Sequence, residues 1–194
     1  MSRREPPVDL VGLILRAHEA LERAEMLHAF GGALALAWCV EEPRATNDID
    51  LNVFVPAAEF GSVLAALPAG IEVSGQSRRR LADEGQARLW WSRVPLDVFL
   101  TSDPFHTEVA TRIVRRDFAG ESLPFLHCRD LAVFKSFFDR GKDWQDIGEM
   151  VRAGSLDALE LADQLAELLG PNDHRVARVQ RLHQEVESAQ SEEW

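Results

Sequence analysis

The stretch from His28 to Val55, HAFGGALALAWCVEEPRATNDIDLNVFV, decides the reading of this chain. It opens on the pair Gly31-Gly32, and the apolar run Ala33 to Val40 is long enough for two or three helical turns. The polar piece Glu41 to Asn47 contains Pro43, which ends that helix. Asp48-Ile49-Asp50-Leu51-Asn52-Val53-Phe54 then alternates, so as a strand it turns Asp48 and Asp50 to one face. Two carboxylates about 4 Å apart repel by roughly 4 kcal/mol at an effective dielectric of about 20. A divalent cation between them removes that cost, and oxygen-only ligands suit Mg²⁺ or Mn²⁺ rather than zinc. The glycines let backbone approach a ligand closely, and the N–H groups opening the next helix can hold an anion. Together these features point to metal-assisted phosphoryl chemistry. The competing explanation is a surface turn, an ordinary helix and solvated aspartates at a strand start. Asp is depleted in strands, which favours the chemical explanation.

Gly31-Gly32, Arg44-x-Thr46 and Asp48-Ile49-Asp50-Leu51 resemble the nucleotidyltransferase superfamily that shares its fold with DNA polymerase beta. The GG…RxTxDIDL form is similar to the AbiEii-type branch, known from abortive-infection and toxin–antitoxin systems. The family often has Gly-Ser where this chain has Gly31-Gly32, and glycine offers a phosphate only its N–H. Thr46 reads as a turn hydroxyl supporting the aspartates, and Arg44 as either structural or ligand-facing. His28 reads as a structural histidine.

The 194 residues suit one domain, or one with a helical appendage, and 46% apolar residues supply a sizeable core. A net charge of −11 speaks against a protein that coats nucleic acid. Cys39 and Cys128 form no C-x-x-C pair and read as reduced core cysteines of a cytoplasmic protein. The basic start Met1–Pro7 reads as a frayed tail without an apolar signal region, and no apolar run reaches the ~18 residues that span a membrane.

Outward from the opening stretch, Val8 to Met26 carries a helical stripe, and Leu27 to Phe30 reads as a short strand. Ala57 to Leu67 reads as a helix, Ile71 to Ser74 as a short strand, and Gly75 to Gly85 as a turn-like cluster around Arg78, Arg79 and Arg80. Ala87–Val94 and Pro95–Thr101 read as tightly joined strands. Asp97 is the only charge in the second; a buried carboxylate without a partner is costly, so it reads either as a metal ligand or as a strand-end Asp facing water. Asp103-Pro104 starts a helix, and Ile113–Phe118 and Leu123–Leu126 read as strands. Helices are expected over Cys128–Phe138, Asp143–Arg152, Ser155–Leu169 with Ser155 as N-cap, and Asn172 to about Gln190. The expected fold class is therefore α+β: a nucleotidyltransferase-like mixed β-sheet flanked by helices over 1–127, with a helical C-terminal part over 128–194.

A second constellation lies in that helical part. Lys135 sits in an apolar helix beside Val133, Phe134, Phe137 and Phe138, where a lysine either snorkels or faces a ligand. Arg140-Gly141-Lys142-Asp143 resembles an R-x-K-D motif of the same family. Physically, Lys142-Asp143 can equally be the start of a helix, with Asp favoured by the macrodipole.

The resemblance implies an enzyme that moves a nucleoside monophosphate from an NTP to a hydroxyl. In it Asp48, Asp50 and Asp97 bind Mg²⁺ or Mn²⁺, Asp97 is the base, and Lys135 and Asp143 complete the catalytic set. It also implies nucleotide binding by Gly31, Gly32, Arg44, Thr46, Lys135 and Lys142. Arg78, Arg79, Arg80, Arg88 and Arg93 precede Asp97, and Arg112, Arg115 and Arg116 follow it. If they converge, RNA such as tRNA is the expected acceptor; if they pair with carboxylates, the acceptor is small or a protein. A cognate antitoxin is a further expected partner. The alternatives are a non-catalytic nucleotide-binding protein on the same fold and a small-molecule, antibiotic-type nucleotidyltransferase.

Overall fold

The computed structural model describes residues 9–192. The expected tail Met1–Pro7 lies outside them. The chain divides into two compact units, one comprising residues up to Leu34 with Ala45–Leu126, the other Ala35–Arg44 with the chain from His127 onward.

The first unit is built on a seven-stranded mixed sheet. Its strands are β1 (His28–Phe30), β2 (Ile49–Pro56), β3 (Ile71–Glu72), β4 (Gln86–Trp91), β5 (Val94–Thr101), β6 (Val114–Phe118) and β7 (Glu121–Phe125), in the order β3-β4-β5-β2-β1-β7-β6. The central pair β2 and β5 is parallel, and β1 runs antiparallel to β2. Strand β5 alternates strictly: Val94, Leu96, Val98 and Leu100 are buried, while Asp97 and Phe99 lie on the half-exposed face. Helix α1 (Leu10–Arg23) buries Leu13, Ile14, Ala17 and Leu21, the stripe legible in its sequence. This unit also carries α3 (Phe60–Ala66), α4 (Gly75–Glu84) and α5 (Pro104–Thr111), the last capped by Asp103 with Pro104 in its first turn.

Gly75 to Gly85 is a helix, where the sequence suggested a turn. Its signals are local: Ser74 Oγ accepts a 3.0 Å hydrogen bond from the Ser77 N–H, and Gly85 closes the helix at φ +69°. The arginines between those caps supply helix propensity rather than a loop.

Helix α2 (Gly32–Val40) leaves the first unit and enters the second, which holds α6 (Cys128–Phe138), α7 (Gly141–Arg152), α8 (Ala158–Leu169) and α9 (His174–Glu192). Leu131, Val133, Ile147, Met150, Leu161, Leu165 and Val179 are buried in it. Helix α8 starts later than expected, because Asp157 rather than Ser155 caps it, accepting from Leu159 N–H at 2.8 Å and Glu160 N–H at 3.2 Å.

Cys39 and Cys128 are joined in a disulfide, which corrects the reading of both as reduced. They are 89 positions apart, and no spacing pattern announces a pair whose Cα atoms the fold brings to 5.6 Å. With it goes the argument for a cytoplasmic location, which rested on free thiols. No helix among the described residues is long and apolar enough to cross a membrane.

Candidate active site

The candidate site lies on a row of residues across three strands of the first unit, ending at the glycine just past β1. Arg88 on β4 is opposite Asp97 on β5, and Asp97 is opposite Asp50 on β2. The Gly31 N–H then donates to the Asp50 carbonyl at 2.9 Å, so the row ends at the glycine pair. Since opposed residues share a face, Arg88, Asp97 and Asp50 project from one side of the sheet.

The glycine pair is shaped by Asp50. Gly32 has φ +53°, and a Cβ built there would stand 1.8 Å from Asp50 Oδ2. The backbone at the start of α2 therefore lies directly against that carboxylate, an approach no other residue permits. A serine at 32 would have to displace Asp50.

Asp48 precedes β2 rather than lying in it, and Thr46 holds it. The Thr46 hydroxyl is 2.7 Å from Asp48 Oδ1 and 3.1 Å from the Asp48 carbonyl, and the Asp48 N–H lies 3.3 Å from Thr46 Oγ1. This is the supporting turn hydroxyl expected of Thr46. Arg44 belongs to the second unit, where it is ion-paired to Glu149.

Asp97 is not a lone buried carboxylate, as its apolar strand suggested. Arg88 grips it with two hydrogen bonds, Nε to Oδ1 at 2.8 Å and Nη2 to Oδ2 at 2.6 Å. The same Nη2 lies 4.0 Å from Asp48 Oδ2. The Arg88 pKa is raised, first by the hydrogen bond to Asp97 and further by the charges of Asp97, Asp48 and Asp50. All three nominated carboxylates thus act on one guanidinium. Arg88 stood in the sequence only as a member of a basic cluster; its role follows from the β4–β5 register, which no local signal encodes. The donor set at this place, three carboxylates beside a glycine-opened helix, fits Mg²⁺ or Mn²⁺.

Beside this row a cleft of about 330 Å³ is lined by Glu72, Ser74, Ser77, Arg80, Arg88 and Trp90 among others. Arg80 joins Arg88 in that lining, while others of the basic residues lie elsewhere. Arg115 and Arg116 lie on β6, at the opposite edge of the sheet from β4, five strand spacings or roughly 24 Å away. Arg80 pairs with Glu84 at 2.8 Å, Arg112 with Glu108 at 3.4 Å, and Arg115 donates to the Ser122 carbonyl at 2.6 Å.

In the second unit, Lys135 neither snorkels nor stands alone. It is 8% exposed, and its Nζ lies 2.6 Å from Asp146 Oδ2 and 3.7 Å from Asp143 Oδ1. Asp143 is fully buried and accepts from the Arg140 guanidinium at 2.6 and 3.1 Å and from the Arg140 N–H at 3.3 Å. It therefore caps α7 and links Arg140 to Lys135. Lys142 is exposed. Asp146 was missed in the sequence, where it looks like any acidic residue of an amphipathic helix.

No protein-family model and no curated protein sequence matches the chain. Among solved structures, the crystal structure of ANT(2")-Ia in complex with adenylyl-2"-tobramycin aligns over 94% of this chain and 99% of its own, with a TM-score of 0.54 and 14% identity. A solution structure of the antibiotic-resistance factor ANT(2'')-Ia aligns over 90% and 97%, with a TM-score of 0.55 and again 14% identity. These likenesses, with TM-scores of 0.54 and 0.55, show that the chain has the nucleotidyltransferase fold.

Proposed function

We propose that the protein is a Mg²⁺-dependent nucleotidyltransferase that moves a nucleoside monophosphate from an NTP to a hydroxyl of a small acceptor, releasing pyrophosphate. The observation that carries this reading is the contact of Gly32 with Asp50, where a Cβ would meet the carboxylate at 1.8 Å. It puts the opening N–H groups of α2, suited to a phosphate, beside the carboxylates suited to a metal. Asp48, Asp50 and Asp97 would hold Mg²⁺ or Mn²⁺, which supplies charge neutralisation of the phosphates and a lower pKa for the attacking hydroxyl.

In the reaction the acceptor oxygen forms a bond to the α-phosphorus, and the bond from that phosphorus to the bridging oxygen breaks, its electrons leaving with pyrophosphate. The hydroxyl proton passes to a carboxylate, and Asp97, bonded to the cleft-lining Arg88, is the assigned base. The Thr46 hydroxyl, donating to Asp48 Oδ1 at 2.7 Å, would orient that carboxylate.

The cleft lined by Glu72, Ser77, Arg80, Arg88 and Trp90 supports a compact hydroxylated acceptor, since its 330 Å³ suits a small molecule. Of the described arginines only Arg80 and Arg88 line that cleft, and Arg115 and Arg116 lie on the far edge strand β6, which favours a small acceptor over an RNA held through many phosphates. The aminoglycoside-derived adduct named for the structural neighbour is a small polyhydroxylated molecule of this kind.

The deciding experiment incubates the protein with Mg²⁺, each α-labelled NTP, and either total RNA or a low-mass metabolite extract. We expect pyrophosphate release and label on a low-mass compound, both lost in Asp50→Asn. No release with any NTP, in Mg²⁺ or Mn²⁺, overturns the enzymatic reading. Label entering RNA instead overturns the small acceptor.

A further inference from the structure

Three metal-binding side chains meet in the first unit, away from the acidic row. His18 and Glu22 are one turn apart on α1 and so lie on the same face of the helix. His28 opens β1 opposite Val53, at the other end of that strand from Gly31 and the Asp50 carbonyl. His18 Nδ1 is 2.9 Å from His28 Nε2 and 4.0 Å from Glu22 Oε1, and the three ligand atoms all fall within 4.8 Å of one another.

The arrangement around His28 is oriented. Its Nδ1 lies 2.8 Å from the Met26 carbonyl, which only accepts, so Nδ1 carries the proton and Nε2 presents its lone pair to His18. An outer carbonyl that sets the tautomer of an imidazole in this way is the usual support of a metal-ligating histidine. His28 is 1% exposed, whereas the Glu22 side chain is 51% exposed, so the cluster is closed on one side and open on the other. Two imidazoles and a carboxylate are a zinc donor set, unlike the all-oxygen set of the acidic row.

We propose that His18, Glu22 and His28 form a second, independent metal site for Zn²⁺ or a similar transition ion, with its fourth position open to water. The ion clips α1 to the start of β1. Zn–N bonds of about 2.0–2.1 Å in a tetrahedron set neighbouring donors roughly 3.3 Å apart. The imidazoles therefore separate slightly while the exposed Glu22 closes in. In the absence of metal His18 Nδ1–H donates to His28 Nε2; on binding, His18 moves its proton to Nε2 and offers Nδ1. Glu22 also exchanges an ion pair with Arg115, 3.5 Å away, for the metal, and an exposed pair of this kind is weak. Burial, as the largest cause, lowers the pKa of both histidines, which favours the neutral rings that ligation requires.

The test titrates chelator-stripped full-length protein with Co²⁺, in excess Mg²⁺ to occupy oxygen-only sites, and follows the visible absorption and the melting temperature. We expect one equivalent to give the intense bands of a four-coordinate ion, Zn²⁺ to bleach them, and the bound ion to raise Tm. His28→Gln should abolish the bands. Because that position is buried, the exposed Glu22→Gln is the second variant, and it should weaken Co²⁺ binding at least tenfold while the metal-free Tm stays put. Arg115→Gln, which frees Glu22, should tighten binding. No saturable bands in the wild type, or bands that persist unchanged in both His18→Gln and Glu22→Gln, overturn the site.

Discussion

Arg88 and Asp97 face each other across β4 and β5, and the guanidinium holds the carboxylate in a two-point grip of 2.8 and 2.6 Å while also reaching within 4.0 Å of Asp48. One cation thus balances the acidic row. A divalent ion at the same carboxylates competes with it. Arg88→Ala should therefore lower the Mg²⁺ concentration for half-maximal transfer several-fold. Its cost in stability should stay near or below about 1 kcal/mol, because the arginine is half exposed. A Mg²⁺ titration of activity with a denaturant melt of the same variant checks both; an unchanged or raised Mg²⁺ requirement contradicts the competition.

Gly32 is the position where a substitution should be least tolerated. Gly32→Ser meets Asp50 Oδ2 and adopts φ +53°, so it should lose about 1–3 kcal/mol of stability and most nucleotide affinity. Asp50→Asn keeps the backbone contact and relieves repulsion, so its melting temperature should equal or exceed the wild type while transfer is abolished. Urea melts and an NTP-binding isotherm on the two variants separate shape from charge at this place.

Lys135 carries a buried charge between Asp146 and Asp143. Lys135→Met keeps the volume and strands Asp146, since Asp143 retains Arg140, a loss of at most about 3–5 kcal/mol. Lys135→Met combined with Asp146→Asn should recover part of it. If Lys135 also serves the nucleotide, the double variant regains stability but keeps a raised KM for NTP; recovery of both reduces the lysine to a structural role.

The Cys39–Cys128 bridge closes a loop spanning 89 positions, for which loop-closure entropy sets a stabilisation of about 4–5 kcal/mol at most. Reductant should lower Tm in the wild type and leave Cys39→Ala/Cys128→Ala unmoved. Equal shifts in both proteins would show that the bridge is not formed.

Much of the site could be read before any fold was known, and the reason is local. Asp-x-Asp in an apolar strand, a Gly-Gly pair before an apolar helix, and Asp103-Pro104 at a helix start are signals within a few residues, fixed by strand alternation and backbone sterics. The caps of α4, Ser74 and Gly85, are equally local, but the arginine run between them carries no apolar periodicity to mark a helix.

Periodicity and turn chemistry thus carried the α+β class, the strand that bears Asp50 and the Asp-x-Asp pair suited to a metal, while Asp97 was nominated through the family resemblance. Partnership was decided only in three dimensions. That Arg88 balances Asp97, that Asp146 holds Lys135, that Cys39 meets Cys128 and that His28 meets His18 and Glu22 all depend on strand register and helix packing. Those arrangements follow from burying apolar faces such as Leu96, Val98 and Ile147, and they bring together charges and sulfurs whose own spacing along the chain holds no information about one another.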